Sequence, residues 1–256
     1  MHQPFPLHTI AGVFLFSLIF LSCSHAQQPA EAVEAVPQPD QFQLVVKGDY
    51  SKARTSLSLL RTSLLDQWNR AGSDSARAAI TDSAGVLFTQ QLVYDIFPHW
   101  MGTTWAFEGH TDIPGTGEVA CGYFVSTTLK HAGFNLNRYK LAQQAAFTGC
   151  KSLNMGKKPE HIAGKTAPEA VTWFLANKPD GLYTVGLDFH VGFLYKVSGQ
   201  LYFIHSSYLP PVAVTYENAA TSAAFSASES WWITPITHNR PLIAAWLKGD
   251  MILISP

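Results

Sequence analysis

Apolar residues recur at three- and four-residue intervals from Ser51 onward, at Leu57, Leu60, Leu64 and Trp68, with Gly72 behind them. That spacing lines one face of a helix, and the glycine predicts its stop. A second helix is expected from a cap at Ser73 or Asp74, running through Ala79, Ile80 and Leu87 toward Val93, with Pro98 ending the region. Phe124, Val125, Thr128, Leu129 and Ala132 form a third helical stripe, stopped by Gly133. Residues 168–177 read as another helix, closed by Pro179.

Beyond Pro179 the period changes from helix to strand. Residues 181–187, 190–197 and 201–208 are runs of β-branched and aromatic residues, and Ser198-Gly199 between the last two is a hairpin signal. Trp231-Trp232-Ile233 adds a strand, 241–247 a short helix and 250–254 a last strand. Helices first and antiparallel strands afterwards predict an α+β fold.

The start of the chain has its own pattern. Residues 10–21 are uninterruptedly apolar, too short to span a bilayer and of the right length for the core of an export signal. Phe20-Leu21-Ser22-Cys23 resembles a lipobox and offers Cys23 for lipidation, while Ser24-His25-Ala26 offers an ordinary cleavage site after Ala26. The segment after it is rich in Pro, Ala, Gln and Glu and reads as a solvated spacer. The expected organisation is a signal over 1–26, a flexible linker over 27–43, an N-terminal helical extension over 44–100 and a main domain over 101–256. The expected address is the cell envelope, either the periplasm or an outer membrane reached through a lipid anchor.

Composition narrows the function. A formal net charge of -1 gives no electrostatic footprint for nucleic acid. His99, His110 and Asp112 share a loop without zinc-ligand spacing, so neither a metal nor another cofactor is expected.

Candidate chemistry gathers at Cys121. The turn-rich stretch 102–119 delivers it to the first turn of the third helix, where unpaired N–H groups favour a thiolate. A nucleophilic thiol needs a base within hydrogen-bonding reach, and His190 at a strand start is the best placed. If Ser198-Gly199 is a two-residue turn, Val197 faces Gln200 and His205 falls opposite Gly192, on the strand face of His190. His190 and His205 then become diagonal neighbours, and a one-residue slip would separate them. Asp188 is a rival orienting group, two residues before His190.

With Cys121 at a helix start, then His-Val-Gly-Phe-Leu-Tyr, a turn, and Tyr-Phe-Ile-His-Ser-Ser, the stretch 102–208 resembles the NlpC-like branch of papain-like cysteine peptidases. The resemblance implies a nucleophile-bearing helix packed on an antiparallel sheet, with Cys121 as nucleophile, His190 as base and His205 as orienting group. It places Trp105 where the family often has a site-lining Tyr, and Gly109 at the glycine that follows. Gly122, Tyr123 and Asp188 stand with Trp105 as candidate substrate-binding residues, and the resemblance implies amide bonds of peptidoglycan stem peptides as substrate. The chain differs at the nucleophile, with Ala120-Cys121-Gly122-Tyr123 in place of the family's Asp-Cys-Ser-Gly. Two alternatives stand beside this: a Cys121–Cys150 disulfide in an oxidising compartment, and a catalytically silent binding module on the same fold.

Overall fold

A computed structural model describes residues 42–254; the signal, Cys23 and most of the spacer lie outside the described residues. From Gln43 onward the described residues form one unit. It is α+β, with N-terminal helices followed by a six-stranded antiparallel sheet and interspersed helices.

Helix α1 spans Tyr50–Arg70, capped by the Asp49 side chain on the Lys52 N–H, and buries Ala53, Leu57 and Leu64. Helix α2, Asp74–Gln91, is capped by Ser73. The helical path does not end at Pro98. Leu92–Ile96 opens into one π turn, and α3 (Phe97–Trp100) follows with Pro98 in its first turn, where a missing N–H leaves no bond unmade. Arg61 fastens α1 to the rest of the fold, donating to the carbonyls of Leu247 and Gly133.

The sheet contains β1 (Glu160–Ala163), β2 (Gly181–Gly186), β3 (Val191–Val197), β4 (Gln200–Ser206), β5 (Val214–Asn218) and β6 (Ser230–Pro235). Their order is β1-β6-β2-β3-β4-β5. The β3–β4 hairpin has the expected register, with Val197 opposite Gln200. Ser198 and Gly199 both have positive φ, 50° and 74°, as a type I′ turn requires. Two strands, β1 and β5, were not anticipated by the sequence pattern. Residues 250–254, expected as a strand, make only one bridge, between Met251 and Asn135.

Alternation along β3 separates two layers. On one face Phe193 meets the rings of Phe97 and Phe124, at 4.9 and 5.9 Å, beneath α4 (Cys121–His131). On the other, Leu194 and Phe203 join a core with Phe174 of α7 (Ala167–Asn177), Phe225 of α8 (Ala223–Ser226) and Trp231 of β6. Two short helices, α5 (Arg138–Ala142) and α6 (Ala146–Leu153), follow α4, and α9 (Arg240–Lys248) closes the fold. Trp246 of α9 donates its indole N–H to the Ala132 carbonyl at the end of α4.

Candidate active site

Cys121 is the first residue of α4. Its thiol is turned toward backbone N–H groups, those of Val191, Gly122 and Cys121 itself. Burial pushes the thiol's pKa up, and the three N–H groups pull it the other way. Burial wins, so the resting group is a neutral thiol and not the thiolate that a helix start alone would favour. Gly122 is fixed by close packing: a Cβ there would sit 2.3 Å from the Ala142 carbonyl oxygen of α5. Its place in the site is therefore its N–H, with its α-carbon closed off by protein.

His190 immediately precedes β3 and His205 lies near the end of β4; they are 4% and 0% exposed, so a ring nitrogen that faces the interior needs a partner there. His190 Nε2 lies 2.8 Å from His205 Nδ1, and His205 Nε2 lies 3.0 Å from Glu217 Oε1 on β5. Ser222, which caps α8 by accepting the Phe225 N–H, donates its hydroxyl to the same Glu217 oxygen at 2.5 Å. The chain His190–His205–Glu217–Ser222 thus runs along the sheet face that carries α7. Phe203 stacks on His205 with centroids 4.0 Å apart and planes 11° apart. Gly192 makes room for that stack, since a Cβ there would meet Phe203 Cε2 at 2.6 Å and His205 Cβ at 2.9 Å.

These surroundings set the charges. Burial first, then the neighbouring His205, pushes the His190 pKa down to about 3. Burial also lowers His205, outweighing the opposing pull of Glu217. Burial would raise Glu217, yet the hydrogen bonds from His205 and Ser222 hold it below the usual range. At neutral pH the chain therefore holds two neutral imidazoles ending on one carboxylate.

The structure joins His190 to His205 directly, but it does not join Cys121 to His190 by a hydrogen bond. The thiol comes from the helix on the α4 side of the sheet, and the N–H of Val191, the next residue after His190, is the backbone group that most offsets its raised pKa. The His190 ring lies on the opposite face, 5.8 Å from Phe203 and 5.3 Å from Tyr208, centroid to centroid. With Nε2 committed to His205, Nδ1 is the ring nitrogen left for the thiol.

The remaining sequence-predicted residues divide. Trp105 pairs with Tyr208 at 6.3 Å, so it belongs to an aromatic row leading to His190, and its buried indole N–H has no partner. Tyr123 instead faces away along α4, toward His110, Tyr139 and Gln143. Asp188 does not touch either histidine; its carboxylate accepts from the Ser228 hydroxyl and the Glu229 N–H, at 2.9 and 2.8 Å. Gly109 packs against the Glu118–Val119 backbone, which a Cβ would meet at 2.6 Å. Arg138, 6% exposed, holds that loop by donating to the His110 and Thr111 carbonyls and to Thr127 of α4. Cys121 and Cys150 are both free thiols; Cys150 is fully enclosed and points at the Trp232 carbonyl. Glu217 and Ser222 are not picked out by the sequence pattern; the alternation Val214-Thr215-Tyr216-Glu217 is a local signal for the strand of Glu217 alone, and Ser222 lies beyond it as the cap of α8.

Among the described residues no cluster of three or more His, Cys, Asp or Glu is placed to hold a metal ion. Nor is any described helix long and apolar enough to cross a membrane. No protein-family model, curated protein or solved structure matches the chain.

Proposed function

We propose that this chain is an exported thiol-dependent hydrolase of amide bonds, built on a papain-like, NlpC-like arrangement, with Cys121 as nucleophile and His190 as base. One observation carries it above the rest: His190 leads into the strand on which the Cys121 helix packs, and its ring is fixed from behind by His205. A histidine held at 4% exposure by an oriented chain of partners is costly unless its position matters.

In this mechanism a bound amide brings its carbonyl carbon to Cys121 Sγ. As the S–C bond forms, the thiol proton passes to His190 Nδ1, and main-chain N–H groups at the start of α4 meet the oxyanion. The C–N bond then breaks, His190 returns the proton to the leaving amine, and a thioester remains on Cys121. Water, deprotonated by His190, attacks the thioester, releases the carboxylic acid and restores the thiol. Catalytic hydrogen bonds are often long in an unliganded site and tighten with substrate, so the thiol and Nδ1 need only approach on binding. The peptide bonds of peptidoglycan suit the envelope address expected from the N-terminus. Anchoring through Cys23 belongs to the same proposal.

The test is incubation with peptidoglycan fragments and short peptides, followed by amine release and by intact mass for an acyl adduct on Cys121. Release that disappears in Cys121→Ala supports the hydrolase. Tight binding with no release from any fragment, and no adduct, would favour a binding module on the same fold.

A further inference from the structure

Glu217 has a consequence for His190, although the two never touch. An ionised carboxylate only accepts hydrogen bonds, and a neutral imidazole carries one N–H and one bare nitrogen. His205 Nε2 stands 3.0 Å from Glu217 Oε1, so that nitrogen must carry the proton; the opposite tautomer would set a lone pair against the carboxylate. His205 Nδ1 is then bare and must accept. Among the described residues the donor facing it is His190 Nε2, at 2.8 Å, so His190 also carries its proton on Nε2. What remains on His190 is a bare Nδ1.

We infer that Glu217 is a positioning residue that sets the protonation of two histidines in series and leaves His190 Nδ1 as the free base of the site. Ser222 secures the starting point. Its oxygen is committed to the Phe225 N–H at the α8 cap, so its proton goes to Glu217, and the carboxylate cannot turn away without losing both donors. The register does the rest: Glu217 is opposite Phe203 and Thr215 is opposite His205, so Glu217 reaches His205 on the diagonal. Reversing the proton order would leave a nitrogen lone pair facing an acceptor at one link or the other, on a His205 ring that is fully buried. The use of Nδ1 as catalytic base rests on the hydrolase proposed above; the tautomer order does not.

The experiment is long-range proton–nitrogen NMR of the full chain labelled at histidine nitrogens, at neutral pH, with His190→Gln and His205→Gln used for assignment. The expected spectrum shows both rings neutral, both protonated on Nε2 and both bare at Nδ1. In Glu217→Ala the order is released, and His205 shows a mixture of tautomers or reverses. The rate of Cys121 alkylation should then fall about tenfold, as part of a general-base contribution is lost. A proton on His190 Nδ1 in the unaltered protein overturns the inference without any variant. So does a Glu217→Ala spectrum with both tautomers unchanged. If the tautomers change while alkylation does not, the inference stands and the role of His190 as base falls.

Discussion

Glu217 and His205 are bonded diagonally across the β4–β5 pair, with Phe203 and Thr215 as their direct cross-strand neighbours. This offset leaves Phe203 free to stack on His205 while Glu217 reaches the far ring nitrogen. The result is an imidazole fixed in plane by the stack and in rotation by two hydrogen bonds.

His205→Phe separates those effects. The stack on Phe203 survives, but His190 Nε2 and the Glu217 carboxylate lose their partner. Leaving buried polar groups unsatisfied costs about 1–3 kcal/mol, so urea unfolding should show a midpoint lowered accordingly. Peptide hydrolysis should fall at least about tenfold with the orienting partner gone. A variant as active as the original protein would show that His190 needs no support from His205.

Gly192→Ala tests the room made for the stack. The new methyl meets Phe203 Cε2 at 2.6 Å and the Ile204 carbonyl oxygen at 2.9 Å, and the second of these is backbone that cannot swing aside. Overpacking of this kind costs about 1–3 kcal/mol, which should lower Tm by several degrees. An unchanged Tm would mean that β3 and β4 are free to part at this end.

The depressed pKa of His190 predicts acid sensitivity. Its folded value is pushed down to about 3 from an ordinary 6.5, mainly by burial, so between those values the unfolded chain binds a proton that the folded chain excludes. Stability from this group is complete above pH 6.5 and is lost as pH falls toward 3, with a limiting slope of about 1.4 kcal/mol per pH unit. Urea midpoints taken from pH 7.5 down to pH 4.5 should therefore fall, and His190→Gln should flatten the curve. Equal slopes for the two proteins would contradict the neutral, enclosed imidazole.

Much of this was legible along the chain, and what was not has physical reasons. The His190–His205 pairing followed from a two-residue turn, because a type I′ hairpin fixes register locally. Glu217 was hidden because its partner is set by β4–β5 pairing across a 207–213 connection, which no local spacing encodes. Strand β1 was obscured by its polar residues, as only Ile162 of its four residues is buried. Residues 250–254 carry a strand-like pattern, yet Met251 and Leu253 are 64% and 77% exposed, so alternation here reports one buried contact at Ile252 rather than a place in the sheet. Pro98 looked terminal because a proline cannot take an interior helical bond, and the π turn before it removes that requirement.

The central claim is that His190 serves the Cys121 thiol as base. Its most direct test is the rate at which iodoacetamide alkylates Cys121 at pH 7, in the unaltered protein and in His190→Ala, with the modified cysteine identified by peptide mass. Cys150 should stay unmodified in the folded protein, because burial pushes its thiol up to about 12 and closes off its surface. Alkylation of Cys121 should slow by about tenfold or more when His190 is removed, since the raised thiol then ionises without help. Equal rates in the two proteins would show that the imidazole does not act on the thiol, and the hydrolase would have to be given up.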